Sequence, residues 1–246
     1  MTPFEWMYRG LEWFLPVHYR TVRRILRTIC RDRQRFLLLD VGGCKSNYTI
    51  NISCEVDIVD LPRESEIQKK LDLGLTDEML ATMRRRRSNI RSIRLEDITR
   101  TSLPDKTYDG VVSVEVIEHV PDDSAFVRQI HRVLKPGGAV IMTTPNGETK
   151  KNVNPDHVRH YTRAELESKL RECFDDVRVF YGVRQGWLHN EAIKGWVPQV
   201  KRPLTFVLAP YRLLLCLLAN LLEGDSANLA GGTNQLFAVA YKSKGA

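Results

Sequence analysis

The chain has 246 residues, of which 43% are hydrophobic and 27% charged, and this composition is typical of a folded domain rather than of a disordered or polytopic membrane protein. The 37 lysines and arginines outnumber the 30 acids, and the resulting charge of +7 favours an anionic partner without identifying one. Five scattered cysteines without a C-x-x-C pair indicate neither a disulfide framework nor a cysteine zinc site. The N-terminus lacks a signal-peptide pattern, so we expect a cytoplasmic protein.

Residues 1–34 are rich in arginine and in aromatic and aliphatic side chains, which predicts an amphipathic basic helical extension. Such a helix can lie on an anionic membrane, cover a substrate pocket or simply dock on the domain. A second basic feature is the run of four arginines at 84–87, which we interpret as a solvated face.

Residues 35–182 alternate short apolar runs with helical periodicity, the pattern of an α/β domain with a parallel sheet covered by helices. The helices are expected at 123–134 and 162–173, the second beginning with a capping box at Thr162 and Glu165. The tetrapeptide Lys-Pro-Gly-Gly at 135–138 is expected to turn the chain into the next strand. The predicted strands are 36–40, 55–60, 93–97, 108–113, 139–143, 177–181 and 235–241.

An insertion at 183–232 separates the final strand and tail, 233–246, from the rest of the domain, and insertions of this length are often lids or binding elements. Its apolar stretch, 204–222, approaches the length of a bilayer span. Pro210 and Arg212 lie centrally and strands flank the stretch, so we expect no spanning helix. A lid over a hydrophobic substrate, a dimer contact and a monotopic membrane patch remain alternatives.

Acidic residues and glycines follow the first two predicted strands. Asp40 is followed by Gly42 and Gly43, which allow a tight turn and close approach of a ligand to the backbone. Asp60, next to Leu61, ends the second strand, where a carboxylate can accept hydrogen bonds from ribose hydroxyls; Asp57 is an alternative inside the strand.

Three further segments resemble class I S-adenosylmethionine-dependent methyltransferases, in particular the methyltransferase type 11 group: LPDKTYDGVV at 103–112, EVIEHV at 115–120 and VLKPGG at 133–138. The resemblance covers about 36–181 and the last strand. It implies a Rossmann-like seven-stranded sheet with helices on both faces and an antiparallel last strand.

The resemblance also implies S-adenosylmethionine as cofactor and a role for each matching residue. Asp40, Gly42 and Gly43 would lie along the methionine, and Asp60 with Leu61 would hold the ribose. The adenine would meet Asp97 and Ile98, and Glu115 would close the pocket over the sulfonium. Acids suit this cationic cofactor, whereas the G-x-G-x-x-G of a dinucleotide site is missing.

The glycine loop departs from the family pattern, since Cys44 and Ser46 occupy the places of its second and third glycines. A non-catalytic module with the methyltransferase fold is therefore one alternative function.

Histidines supply the candidate acid–base chemistry. His119 and His157 are the predicted catalytic residues, because an imidazole can deprotonate a hydroxyl near neutral pH. Glu115, Glu118 and His119, with His157 or His160, could alternatively bind a divalent metal, as in metal-assisted RNA and quinone-precursor methyltransferases; we expect no metal.

The expected function is methyl transfer from S-adenosylmethionine to a small-molecule or lipid- or glycan-linked acceptor. A metal-assisted RNA methyltransferase is the alternative within the enzyme class, and nucleic acid stays an alternative partner on account of the positive charge. Peripheral membrane contact through 1–34 and 204–222, and a homodimer, are the further partner hypotheses.

Overall fold

The computed structural model describes residues 1–31, 35–43, 47–62, 76–184, 186–193, 204–222 and 231–245. The predictions that concern Cys44 and Ser46 lie outside the described residues.

A seven-stranded sheet, in the order β3-β2-β1-β4-β5-β7-β6, organises this part of the chain. The first five strands are parallel to one another, and β7 runs antiparallel to both β5 and β6. This arrangement confirms the predicted fold class, including the antiparallel last strand. The strands are β1 Leu37–Val41, β2 Glu55–Asp60, β3 Ile90–Leu95, β4 Tyr108–Val114, β5 Leu134–Pro145, β6 Asp176–Arg184 and β7 Thr233–Tyr241.

Strand β1 shows why the sheet needs helices on both faces. All of its residues are buried. Leu37 and Leu39 belong to one apolar core, whereas Leu38 belongs to a second core on the opposite face, because successive side chains of a strand alternate. A continuous apolar run is therefore the expected sequence of this central strand.

Helices cover both cores. Helix α4 packs Phe126 and Ile130 into the core of Leu39, and α2 packs Val22 and Leu26 into the core of Leu38. The helices are α1 Pro3–Leu11, α2 Val17–Cys30, α3 Asp77–Arg86, α4 Asp123–Val133, α5 Arg163–Arg171, α6 Trp187–Ile193 and α7 Leu204–Leu222.

The N-terminal extension is formed by two helices rather than one. A short 3-10 turn, Glu12–Phe14, follows α1, and Pro16 is the N-cap of α2. Proline fixes an extended conformation before the helix and so separates the two segments. The capping box predicted at Thr162 and Glu165 is present at the start of α5.

Two predicted boundaries are wrong for identifiable reasons. Strand β3 covers Ile90–Leu95, and Asp97 instead caps the 3-10 turn Ile98–Arg100 by accepting the N–H of Thr99. The Lys-Pro-Gly-Gly segment is part of β5. Gly137 adopts φ +74° and donates its N–H to Lys242 beyond β7, so pairing continues where a free turn was expected.

Three of the four arginines at 84–87 are exposed, as predicted for a solvated face, but Arg87 is buried. In the insertion, α7 buries Leu215, Cys216 and Ala219. No helix among the described residues has the length and hydropathy to cross a bilayer, in agreement with the expectation for 204–222.

Candidate active site

The carboxyl ends of five neighbouring strands form one edge of the sheet, and the predicted cofactor residues follow these strands. The N–H of Gly42, after β1, donates to the carbonyl of Val59 in β2 at 2.9 Å. The N–H of Glu96, after β3, donates to the carbonyl of Asp60 at the end of β2 at 3.0 Å. Likewise, the N–H of Glu115, after β4, donates to Thr143 of β5 at 3.1 Å. The structure therefore places the ends of β3, β2, β1, β4 and β5 side by side, as a bound nucleoside requires.

Asp40 is fully buried at the end of β1 and organises the glycine loop. Its carboxylate accepts hydrogen bonds from the hydroxyls of Tyr48 at 2.9 Å and Thr49 at 3.0 Å. A Cβ at Gly43 would lie 2.6 Å from the carboxyl carbon of Asp40, so only glycine lets the loop pass this close. Asp40 thus positions the glycine loop through these contacts. Its contact with the methionine part of a cofactor stays a prediction.

The residues that hold Asp40 were missed by the sequence analysis. Arg87 is buried and donates to the hydroxyl of Thr49 at 2.7 Å, which extends the network from Asp40 to the end of α3. Burial lowers the pKa of Arg87, and the nearby charge of Asp40 counteracts that shift. An arginine at the end of a basic run carries no sequence signal that distinguishes it from its exposed neighbours.

Gly42 lies where the glycine loop meets the segment that contains Glu115 and Val116. It adopts φ +72°, and a Cβ there would lie 2.5 Å from Cγ2 of Val116. Both observations exclude a larger residue without rearrangement.

Asp60 and Asp97 flank the edge on the side of β2 and β3. Asp60 is half-buried and accepts the N–H of the exposed Leu61 at 2.8 Å. Asp97 accepts the N–H and the hydroxyl of Thr99, while Ile98 is buried in the main core. The two carboxylates are brought to the same region, where hydrogen bonding to ribose and adenine is their predicted role.

Asp57, the alternative ribose ligand, has a structural role. Its carboxylate accepts hydrogen bonds from the guanidinium of Arg91, from Ser92 at 2.7 Å and from Tyr108 at 3.0 Å. Burial raises the pKa of Asp57, but the three hydrogen bonds and the charge of Arg91 together outweigh it, and the pKa is lowered. Because the carboxylate of Asp57 is already hydrogen-bonded inside β2, Asp60 remains the candidate ribose ligand.

Glu115 occupies a strained position at the end of β4. It adopts φ +56°, and its carboxylate accepts hydrogen bonds from Thr143 and from Gln235, each at 3.2 Å. A positive φ is unusual for a residue with a side chain and is often found at functional sites. Burial raises the pKa of Glu115, and the hydrogen bond from Gln235 only partly offsets this effect.

The two predicted catalytic histidines come together beside Glu118. One ligand atom of each of Glu118, His119 and His157 lies within 4.8 Å of the others, and the two imidazole rings meet edge to face. Glu118 is fully buried. One of its oxygens accepts a hydrogen bond from Thr144 at 3.1 Å, and the other, Oε1, has no hydrogen-bond partner among the described residues.

Backbone carbonyls determine which nitrogen of each neutral imidazole carries its proton. Nδ1 of His119 lies 3.1 Å from the carbonyl oxygen of Asp156 and must donate, so Nε2 of His119 keeps its lone pair. Nδ1 of His160 likewise donates to the carbonyl of Lys150, which makes its Nε2 an acceptor. His157 then donates from Nδ1 to His160 at 2.7 Å, and Nε2 of His157 also keeps its lone pair.

The loop that carries His157 is fixed to the Glu118 segment. The N–H of Val158 donates to the carbonyl of Glu118 at 2.8 Å, and Arg159 donates to Pro121 at 2.7 Å. Tyr161 donates to Asp123 at 2.6 Å at the other end of the loop. These contacts position His157 without using its imidazole.

Burial governs the protonation of this cluster. It raises the pKa of Glu118 well above the usual value, and the charge of Glu115 raises it further. It lowers the pKa of His119 and lowers that of His157 to about 4, where the charge of His119 also contributes. Both imidazoles are therefore neutral near pH 7, with their lone pairs available.

A second pair of histidines, His18 of α2 and His189 of α6, was not predicted from the sequence. Burial lowers the pKa of His18 to about 3 and that of His189 to about 4, and Lys150 contributes to both shifts. Lys150 also lowers the pKa of Glu115 and of His157 by its charge. The charge of Lys150, in the loop after β5, therefore acts on α2, on α6 and on the Glu115 segment. No motif marks these residues, because helices distant in sequence bring them together.

Residues 39–142 match the model of a family described as a methyltransferase domain. The chain is 32% identical over 150 residues to a protein of Mycolicibacterium smegmatis named as an S-adenosylmethionine-dependent methyltransferase, a match that covers 57% of this chain and 54% of that protein. Over this region the chain is therefore similar to S-adenosylmethionine-dependent methyltransferases. It spans about half the length of the curated relatives it matches.

Two further comparisons bear on this family. The ubiquinone biosynthesis O-methyltransferase of Serratia proteamaculans is 27% identical over 122 residues, covering 48% of this chain and 51% of that enzyme. The fold also matches the crystal structure of an S-adenosylmethionine-dependent methyltransferase from Archaeoglobus fulgidus with a TM-score of 0.56, covering 91% and 94% of the two chains. Because the identity to that structure is 16%, this similarity supports the fold alone.

Proposed function

We propose that this chain transfers the methyl group of S-adenosylmethionine to a hydroxyl oxygen of a small-molecule acceptor. The observation that supports the proposal is the convergence of Glu118, His119 and His157, of which one ligand atom each lies within 4.8 Å of the others. Among the described residues, Oε1 of Glu118 has no hydrogen-bond partner. A hydroxyl is a poor nucleophile until its proton is removed, and this cluster can accept that proton.

The cofactor lies along the edge formed by β3, β2, β1 and β4 in this proposal. Asp97 and Ile98 meet the adenine, Asp60 and Leu61 meet the ribose, and the loop of Gly42 and Gly43 follows the methionine. Carboxylates next to the ribose hydroxyls and the sulfonium supply acceptors and negative charge where the ligand carries donors and positive charge. The family match and the order of strand ends support this placement.

The chemical step is a displacement at the methyl carbon. The acceptor oxygen forms a bond to this carbon, the carbon–sulfur bond breaks, and S-adenosylhomocysteine leaves with the electron pair on sulfur. The hydroxyl proton passes to Nε2 of His119 or His157. In-line placement of oxygen, carbon and sulfur contributes most of the acceleration, and the base adds a further factor of about 10² to 10⁴.

The same three side chains also fit a divalent cation. Two imidazole nitrogens and one carboxylate oxygen are a donor set that Zn²⁺ and Mn²⁺ accept, and His119 is oriented by donating its other N–H to a backbone carbonyl, as metal ligands often are. A bound cation would supply Lewis acidity that lowers the pKa of the acceptor hydroxyl. The name of the Serratia O-methyltransferase agrees with an oxygen acceptor under either use of the cluster.

The first experiment is calorimetric titration of the purified chain with S-adenosylmethionine and S-adenosylhomocysteine. It is followed by transfer of a labelled methyl group to catechol, to a primary amine and to a thiol. We expect micromolar binding and transfer to the phenol, with His119→Ala and His157→Ala each lowering kcat/KM by about 10² or more while cofactor affinity is kept. His131→Gln on α4, also a histidine with a lowered pKa, is the matched control.

Repeating the assay after EDTA dialysis, and again after adding Mg²⁺, Mn²⁺ or Zn²⁺, separates direct proton acceptance from cation assistance. Transfer confined to the amine or the thiol contradicts the oxygen acceptor. Absence of cofactor binding by the folded chain contradicts the proposal as a whole and favours a non-catalytic module.

A further inference from the structure

Helix α7 has an exposed apolar surface, because it presents leucines to solvent on a side adjacent to its packed face. Leu215, Cys216 and Ala219 are buried, and Cys216 donates a hydrogen bond to the carbonyl of Ala192 in α6 at 3.3 Å. An adjacent side of the helix is formed by Tyr211, Leu214, Leu218, Leu221 and Leu222, all exposed, with Leu221 and Leu222 at 70% and 65%. These positions recur every three or four residues and form one stripe.

The N-terminal segment extends this stripe. The side-chain amide of Asn220 donates to the carbonyls of Trp13 at 3.2 Å and Leu15 at 2.9 Å, so the turn after α1 is fixed to the C-terminal end of α7. Trp13 is 63% exposed and is held by Asn220, the residue before Leu221, and Trp6 on α1 is 62% exposed. We define the tryptophan–leucine face as Trp6, Trp13, Leu218, Leu221 and Leu222. Apolar side chains of this size in one exposed region mark an interaction surface.

Arginines border the face. The guanidinium of Arg20 lies 5.3 Å from the ring of Trp13, and that of Arg9 lies 6.0 Å from the ring of Trp6. Arg24 is one turn beyond Arg20 on α2. Residues 1–31 contain six arginines and two glutamates. Glu12 pairs with Arg23 and Arg27, and Glu5 accepts hydrogen bonds from Ser88 and Thr2, so neither carboxylate neutralises this rim.

We propose that the tryptophan–leucine face docks on an anionic lipid surface. Tryptophan and leucine enter the interface between headgroups and acyl chains, while arginines around them pair with lipid phosphates. A second copy of this chain is a poorer occupant, because a two-fold contact through the face would bring the arginine rims of two molecules together.

Vesicle co-sedimentation tests the proposal without cofactor or acceptor, so its result is independent of the proposed methyl transfer. The chain is mixed with vesicles of phosphatidylcholine alone and with vesicles containing about one third phosphatidylglycerol, at low and high salt. We expect binding to the anionic vesicles that weakens with salt, and at least tenfold weaker binding of the neutral ones.

Variants identify the surface. The double variant Leu221→Ser/Leu222→Ser and the single variant Trp13→Ser should each reduce the partition coefficient by about tenfold or more. Arg9→Gln/Arg24→Gln should reduce it on anionic vesicles only, by about fivefold per arginine. The matched controls are Val153→Ser, a residue 87% exposed in another loop, and Arg128→Gln on α4, both expected to bind normally. Circular dichroism verifies that each variant is folded.

Three outcomes would overturn the proposal. The first is no binding to anionic vesicles at low salt. The second is binding that the controls and the face variants reduce equally. The third is a dimer, detected by light scattering, that Leu221→Ser/Leu222→Ser converts to a monomer while vesicle binding is missing, since the face would then join two copies of the chain.

Discussion

Replacement of Gly42 by alanine should destabilise the chain and weaken cofactor binding, for two separable reasons. The residue adopts φ +72°, where an L-residue with a side chain is strained. The added Cβ would also lie 2.5 Å from Cγ2 of Val116, which forces the glycine loop and the Glu115 segment apart.

The two costs can be assigned magnitudes. The left-handed conformation costs an alanine about 1 to 2 kcal/mol, and forcing a methyl group into a filled space costs about 1 to 3 kcal/mol. We therefore expect Gly42→Ala to lower the free energy of unfolding by about 2 to 5 kcal/mol. Shortening Val116 to alanine removes the contact but leaves the backbone strain, so the double variant should recover about 1 to 3 kcal/mol relative to additivity.

Urea unfolding of the four proteins in this double-mutant cycle, with calorimetric titration of S-adenosylmethionine, measures both effects. Gly10→Ala is the control, since nothing lies within 4 Å of a Cβ built there and the position is helical; alanine should stabilise it by about 0.5 to 1 kcal/mol. A Gly42→Ala variant with unchanged stability and affinity, or a cycle without coupling to Val116, would contradict this prediction.

Three further predictions concern the site and its protonation. Asp60→Ala should weaken S-adenosylmethionine binding in calorimetry without lowering the unfolding midpoint, and normal binding would show that the ribose position is wrong. The acid limb of kcat/KM should lie below the ordinary histidine value of 6.5, because burial keeps His157 neutral down to a pKa of about 4; a limb at 6.5 or above would exclude His157 as the base. His18 has a folded pKa of about 3 against about 6.5 unfolded, so the unfolded state binds more protons and stability falls as pH drops below 6.5. His18→Leu should therefore reduce the loss of unfolding free energy between pH 7.5 and 5 by about 2 kcal/mol, and an unchanged loss in urea titrations would contradict this assignment.

Features encoded locally were predictable from the sequence. The run through Leu37, Leu38 and Leu39 is buried on both faces, and any central parallel strand needs such a run. The residue patterns after it also place Asp40 and Gly42 at the strand end. The positive φ of Gly42 is a local requirement that glycine alone satisfies without strain, which explains why a glycine there is informative.

Features that depend on distant partners were not predictable. Gly137 remains paired within β5 because Lys242, from the other end of the chain, accepts its N–H. Arg87 is buried because Thr49 and Asp40 lie beneath it, although its three neighbours in the run are exposed. The pKa of His18 is lowered because the side chain is buried and because His189, about 170 residues away in the chain, acts on it through its charge.

The two buried glutamates suggest why this edge of the sheet favours cations. Burial raises the pKa of Glu115 and of Glu118, and the charge of Glu115 raises that of Glu118 further, so ionising these carboxyls costs more free energy here than in water. A sulfonium beside Glu115, or a divalent cation beside Glu118, would favour the ionised carboxylate and lower its pKa. These carboxyls do not strengthen the binding of a neutral ligand, because such a ligand leaves the free-energy cost of ionising them unchanged. The same burial that raises these two pKa values would therefore make binding selective for positive charge, and would make it weaken as the pH falls.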